Sequence, residues 1–456
     1  MPGLAPGRSH PIQKIVILIG LIVPQYLPRR SRHCLSLQLW KRHAVFWAGA
    51  IGVAGTAILF AWGSEYANEL FHRVVIVSSW LPLLIAPLGL ASVAYITHRF
   101  FPGSQGSGIP QTIAALHMRH AASRDAVLSP RIAIGKIFLT FLGLASGASV
   151  GREGPTVQIG ASIMHALGGW ARFSRIEIER GLILAGGAAG IAAAFNTPLA
   201  GIMFAIEEMS GSFERRTSGT VLTAVIVSGI TSLAVLGNYA YFGHTAAGLD
   251  FNRGWIAVLV CGVAGGLLGG MFSRMLIYAS SGDLSGKAGV FMRKRPVLFA
   301  AFCGFVLALI GLLSGGTTYG TGYHEARRIL EGTGTLAPAY GMLKMLATIV
   351  SYLSGIPGGL FAPSLAVGAG FGANLATILP YAPTGAVITL GMVAYFAGVV
   401  QAPITAFVIV MEMTDDHAML LPLMATALIA SAMSRLVCRR PLYKALAKNF
   451  LQRTAQ

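Results

Sequence analysis

Acidic residues are scarce in this chain. Its 456 residues include 16 Asp and Glu against 34 Lys and Arg, and charged residues make up only 11%. A soluble domain carries about 25%. With a hydrophobic fraction of 54% and a mean hydropathy of +0.67, the shortage excludes a water-soluble fold. Cysteine is also scarce: Cys34, Cys261, Cys303 and Cys438 stand alone. That excludes a disulfide framework or a CxxC zinc site and leaves small packing residues. The eleven histidines show no metal spacing, and His165, inside an apolar stretch, reads as a hydrogen-bonded packing residue. Met411, Met413, Met419 and Met424 read as packing rather than copper ligands. Neither metal nor cofactor is expected.

The net charge of +18 invites a nucleic-acid partner, but its placement argues against one. Residues 1–43 carry Arg8, Lys14, Arg29, Arg30, Arg32, Lys41 and Arg42 with no acid; from 435 onward stand Arg435, Arg439, Arg440, Lys444, Lys448 and Arg453, again with no acid. The positive-inside rule puts both ends in the cytoplasm, and anionic membrane lipid suffices as their partner. The apolar segment 14–24 is too short to span, and Pro28-Arg29-Arg30 follows it instead of a cleavage site. It is read as part of a basic cytoplasmic extension, with room for one surface helix.

What is abundant is apolar sequence broken by glycine (57) and proline (21). The runs are 44–63, 76–97, 131–150, 180–206, 219–242, 255–279, 296–314, 339–353, 384–411 and 418–434. Several reach the roughly 20 residues of one crossing; others fall short or are interrupted, as in bundles with discontinuous helices. More helices than hydropathy peaks are expected.

The chain also repeats itself. Lys136, Thr140, Ser146-Gly147, Gly151, Pro155 and Gly160-Ala161 return as Lys344, Thr348, Ser354-Gly355, Gly359, Pro363 and Gly368-Ala369, in one register (354 − 146 = 208). Pro198 and Glu207 return as Pro403 and Glu412 at a slightly shorter offset (412 − 207 = 205), so three residues entered or left between the two echoes. Duplicated halves in an apolar chain mark secondary transporters, whose substrate lies where broken helices meet near the midplane. The expected organisation is a basic extension 1–43, a first membrane repeat 44–240, a second 250–445 and a tail 446–456, with no folded soluble domain after it. Cytoplasmic ends require an even number of crossings; whether the halves are inverted stays open at this level.

Three segments share one grammar of Gly, a short gap, Pro and an apolar helical run. They are Gly106-Ser107-Gly108-Ile109-Pro110, Gly151-Arg152-Glu153-Gly154-Pro155 and Gly359-Leu360-Phe361-Ala362-Pro363. Glycine permits the sharp turn, proline opens a helix without wasting a donor, and first-turn N–H groups stay free with about half a positive charge. Converging, such ends bind an anion by partial charges weak enough to release it. One motif alone would be only a kink; three together, two related by the repeat, reverse that reading.

These motifs, in this order and spacing, resemble the selectivity filter of the CLC family of chloride channels and transporters, over about residues 44–443. The resemblance implies an all-α polytopic membrane protein of CLC-type fold with two inverted-topology repeats and broken helices. It implies a homodimer with one anion pathway per subunit, in a bacterial inner membrane. By the same resemblance Ser107 and Tyr443 offer hydroxyls to chloride. Gly108, Ile109, Arg152, Gly154, Leu360 and Phe361 complete its shell, chiefly through backbone N–H groups, within the motif frame of Gly106, Pro110, Gly151, Pro155, Gly359, Ala362 and Pro363. Glu153 takes the gating position: ionised it competes with the anion, protonated it withdraws, so one group links the two occupancies. Glu208, which has Met413 at its repeat position, resembles the inner proton glutamate of the exchangers; Glu207 and Glu412 look architectural. Lys136 and Lys344 cap carbonyls or neutralise acids. Ser107 favours chloride over nitrate, since nitrate-coupled members carry proline there, and the intact first motif separates the chain from the fluoride-exporting branch.

The function so implied is exchange of chloride for protons. A passive chloride channel of the same fold is the first rival, with Glu208 against it. A polytopic membrane enzyme using Glu153 or the Glu207–Glu208 pair is the second, but no Ser–His or His–Glu constellation accompanies them.

Overall fold

The structure, a computed structural model, describes residues 37–171, 176–211, 215–237, 239–243, 248–249, 251–281 and 287–454. The basic extension therefore lies outside the described residues except for 37–43. The chain divides into a unit of residues 1–45, described only from Leu37, and a unit of residues 46–456 that holds everything below.

Helices account for almost all regular structure, and no strand occurs among the described residues. In chain order they are α1 Leu37–Val77, α2 Pro82–Phe100, α3 Ile109–His117, α4 Ala121–Asp125, α5 Pro130–Leu144, α6 Glu153–Trp170, α7 Ile176–Phe195, α8 Pro198–Phe204, which runs into a π turn at Ala205–Ser210, and α9 Arg215–Leu236. The second half has α10 Ile256–Ser280, α11 Lys287–Lys294, α12 Pro296–Leu313, α13 Tyr323–Leu330, α14 Tyr340–Leu353, α15 Phe361–Ile378, α16 Thr384–Val400, α17 Pro403–Thr414, α18 Leu420–Val437 and α19 Leu442–Thr454. Nine segments among the described residues are long and apolar enough to cross a membrane, and α14, α16 and α17 are shorter apolar helices.

Hydropathy finds most of these and misreads some. The run 180–206 is two helices, α7 and α8, and the run 384–411 is α16 and α17, each break occurring where proline opens the second piece. At the breaks Asn196 and Gln401, also 205 residues apart, adopt the same left-handed conformation (φ 58° in both). The helix α15 is absent from the apolar runs, although it is long and apolar enough to cross a membrane. The three-residue discrepancy between the two echoes falls in α7, which has 20 residues where α16 has 17. Residues 446–454, set apart as a tail by sequence, continue α19, with Leu446 and Ala447 buried.

The series α2, α3, α5, α6, α7, α8, α9 recurs as α12 to α18 in the same order. Reciprocal bonds tie the two sets. Glu412 accepts from the N–H groups of Leu199 and Ala200 (3.1 and 2.7 Å), and Glu207 accepts from those of Ile404 and Thr405 (3.2 and 2.7 Å). Gly151 N–H donates to Gly359 O (2.8 Å) and Gly359 N–H to Gly151 O (2.6 Å), an antiparallel pairing of repeat equivalents. Equivalent groups bonded to one another lie on a local two-fold axis, and that axis runs through the second and third motifs.

The repeat contains an echo that sequence inspection missed. Gly320-Thr321-Gly322-Tyr323 corresponds to Gly106-Ser107-Gly108-Ile109. Gly106 and Gly320 share φ 64°, and Gly108 and Gly322, with φ 95° and 79°, precede short helices. Each turn is held by a buried lysine. Lys136 Nζ donates to Ser104 O and Gly106 O, both at 2.7 Å, and Lys344 Nζ donates to Thr318 O (2.9 Å) and Gly320 O (2.8 Å). Both lysines thus cap carbonyls, which satisfies an ammonium that burial would otherwise penalise.

Candidate functional site

The three motifs meet. Gly106 N–H donates to Ile356 O and Gly358 N–H to Gly106 O, both at 3.0 Å, so the first motif is laced to the approach of the third, as the second is through Gly151 and Gly359. The meeting depends on missing side chains. A Cβ on Gly154 would lie 2.8 Å from Ser107 O, 2.9 Å from Ser107 Oγ and 3.2 Å from Gly359 Cα. Gly108 needs its positive φ, and a Cβ there would meet Gln158 at 2.8 Å. The helices α3, α6 and α15 therefore begin at one junction, their N-termini preceded by Gly108, Arg152 and Leu360. The first-turn N–H groups have no intrahelical acceptor. Pro110, Pro155 and Pro363 stand in those first turns, where the missing proline donor costs nothing.

Ser107 is buried, and its Oγ accepts from Ile109 N–H (3.3 Å). The hydroxyl proton is thereby free to point into the junction, while the Ile109 amide is engaged within its own motif. Tyr443, the second residue of α19, is fully buried; its hydroxyl lies beside that of Ser107 and finds no hydrogen-bond acceptor among the described residues. The packing of α19 against α3 brings them together. Phe361 anchors the junction: its ring lies 4.8 Å from Phe396, 5.9 Å from Tyr443, 6.0 Å from Phe204 and 6.2 Å from Phe195.

Glu153 opens α6 and is fully buried. Its Oε2 occupies the space a Gly151 Cβ would need, next to Pro363 and near the backbone N–H of Ala362. The carboxylate is folded back onto the second and third motifs, in the field of the helix ends. Oε1 faces the hydroxyl of Tyr241 at 3.5 Å. Arg152 does not pair with Glu153 and does not turn its side chain toward Ser107: it donates to Ala61 O (2.7 Å) and places its guanidinium over the Tyr241 ring (5.7 Å). A pocket of about 20 Å³ beyond it is lined by Glu65, Arg152, Tyr241, Thr321 and Tyr323 among others, room for about one water.

Tyr241 is a residue sequence analysis overlooked, in the link between repeats that looked like a divider. Phe242 N–H bonds Met413 O (2.8 Å), and Tyr241 stacks edge-on against Phe195 (5.6 Å) and Tyr323 (4.7 Å). No local signal marks it, since its partners come from three distant segments, at Arg152-Glu153, Phe195 and Tyr323.

On the opposite side a cavity of about 430 Å³ reaches Gly106 and Ser107 between His98, Gln105, Arg293, Tyr352 and α19. Glu208 stands near this side, in the π turn that interrupts the helix after α8; such turns often mark functional positions. It is 3% exposed and its Oε1 has no hydrogen-bond partner among the described residues. The carboxylate lies in the electrostatic reach of Lys444 and Tyr443. The counterpart α17 is a regular helix without a π turn and carries Met413 there.

A family model described as voltage gated chloride channel matches residues 88–435. The chain is 32% identical over 383 residues to the H(+)/Cl(-) exchange transporter ClcA of Vibrio vulnificus strain YJ016, covering 80% of this chain and 79% of that protein. It is 32% identical over 402 residues to the ClcA of the same description from Yersinia pestis bv. Antiqua strain Angola, with 82% and 80% covered. Among solved structures it superposes on a slow cyanobacterial Cl-/H+ antiporter with a TM-score of 0.76 at 26% identity, over 90% of this chain and 99% of the other. A CLC-type fluoride/proton antiporter matches in fold with a TM-score of 0.75 at 23% identity, over 89% and 98%.

Proposed function

The chain belongs to the voltage gated chloride channel family, and from that premise we propose that it exchanges chloride for protons across a membrane. The observation that carries the reading is the carboxylate of Glu153 folded onto the junction of three helix N-termini. Partial positive charges hold an anion there without a formal cation. Chloride and the ionised carboxylate want the same donors, so one excludes the other. Protonation removes the charge and with it the attraction, and the side chain moves outward past Tyr241. Chloride then passes by the hydroxyls of Ser107 and Tyr443 to the inner cavity, and the proton leaves or arrives through Glu208. Reciprocity is built in, because whatever chloride does to proton occupancy of Glu153 the proton does to chloride. The description of the relatives as exchange transporters supports antiport over a channel.

Every residue of this pathway comes from one chain, which suits a homodimer with two independent pathways. Arg293 lines the inner cavity, Lys294 and Arg295 follow it in sequence, and α19, which lends the cavity Leu446, Asn449 and Phe450, also carries Lys444 and Lys448; this basic character supports a cytoplasmic placement of that side in an inner membrane. The test is a coupled-flux measurement in proteoliposomes: a chloride gradient should drive protons uphill. Chloride movement without proton movement would make the protein a channel.

A further inference from the structure

We propose that the groove between α10 and the link from α18 to α19 binds an anionic phospholipid. The α10 side chains Leu267, Met271, Arg274, Met275 and Tyr278 recur at helical spacing and form one wall; Val437 to Arg440 forms the other, and the groove encloses about 1090 Å³. The long wall is apolar and faces outward from a membrane-crossing helix, with Met271 40% and Tyr278 52% exposed. Its rim is the opposite in character. Arg274, Arg439 and Arg440 are all exposed there, and none of the three has an ion pair among the described residues. Arg274 stands six residues before the end of α10 at Ser280, where a long side chain reaches from hydrocarbon to the headgroup layer.

Apolar wall and guanidinium rim together select the occupant. Three guanidiniums crowding one edge repel each other until an anion joins them, and their planar forks fit phosphate oxygens. A soluble anion would use the rim and ignore the wall. A second copy of this chain would bring its own arginines to the same edge, like against like. The chain's own residues 1–43 hold seven Lys and Arg and no acid, so they do not complement the rim. A phospholipid with net negative charge meets both demands, its phosphate at the arginines and an acyl chain along Leu267, Met271 and Met275. The groove shares no lining residue with the inner cavity, and the inference does not depend on the transport reading.

Native mass spectrometry of the full chain, purified in detergent and offered equal amounts of phosphatidylglycerol and phosphatidylcholine, tests it. The wild-type protein should retain phosphatidylglycerol preferentially. Each guanidinium removed in R274Q, R439Q and R440Q should lower that preference about fivefold, given the usual attraction of one basic residue to an anionic surface. R440K, which keeps the charge and loses the planar fork, should fall between the wild type and R440Q, and it serves where R440Q fails to fold. Equal retention of the two lipids by the wild-type chain would overturn the proposal. So would an undiminished preference in R274Q and R440Q, or displacement of the lipid by an equal concentration of inorganic phosphate.

Discussion

Glu153 concentrates the argument at the scale of single residues. Its carboxylate lies against the backbone of the second and third motifs, so Glu153→Ala should keep chloride flux and abolish proton flux, read by simultaneous chloride and pH electrodes on proteoliposomes. Retained proton pumping would remove Glu153 from its role. The same picture fixes the sign of the pH dependence. The charged form closes the path, so turnover of the wild-type protein should rise as pH falls, and Glu153→Ala should flatten the profile. Tyr241 adds a residue-scale expectation. Its hydroxyl, 3.5 Å from Oε1, favours the closed carboxylate. A hydrogen bond of about 1 kcal/mol corresponds to about fivefold in an equilibrium, so Tyr241→Phe should raise chloride turnover by about that factor with coupling preserved. Unchanged turnover would show the contact to be incidental. The sequence pointed to Glu153, Ser107 and Glu208 because motif and spacing are local, and all three are buried. It was silent at Tyr241, whose meaning arises only when the inter-repeat link folds against Phe195, Tyr323 and Arg152.

Elements show how broken helices are kept in place. Glu207 and Glu412 each cap the short helix of the other half, through N–H groups of Ile404 and Thr405 or of Leu199 and Ala200. Glu207→Gln and Glu412→Gln should destabilise the protein to a similar extent, about 1–2 kcal/mol each, in denaturant unfolding in detergent. A large loss from only one would deny the two-fold relation. The junction itself rests on absent side chains. Gly154→Ala places a methyl 2.8 Å from Ser107 O and 3.2 Å from Gly359 Cα, and should eliminate chloride binding by calorimetry while the chain still purifies as a folded species. The repeat of 208 residues and the proline-led half-helices were legible because both are written as identities. The Gly320-Thr321-Gly322 turn was not, since it falls out of the 208-residue register (320 − 106 = 214) and has His324 where the first motif has Pro110. The helix α15 stands outside the apolar runs although its hydropathy equals that of α2.

At the scale of the whole molecule the fold follows from duplication. Two sets of helices bonded by equivalent groups leave their helix N-termini pointing at a shared centre, where alternation between halves brings a site near the middle of the membrane. One half then departs from the other: the π turn bearing Glu208 has no counterpart in α17. On the proposed exchange, that asymmetry would give protons an inner branch of their own, with both ions sharing Glu153. Exchange rests on one competition, between an ionised carboxyl group and a halide for the same amide donors. Calorimetric titration of chloride into the purified protein across a range of pH measures it directly. Affinity should weaken as pH rises in the wild-type chain and become independent of pH in Glu153→Ala; wild-type affinity that ignored pH would contradict the account.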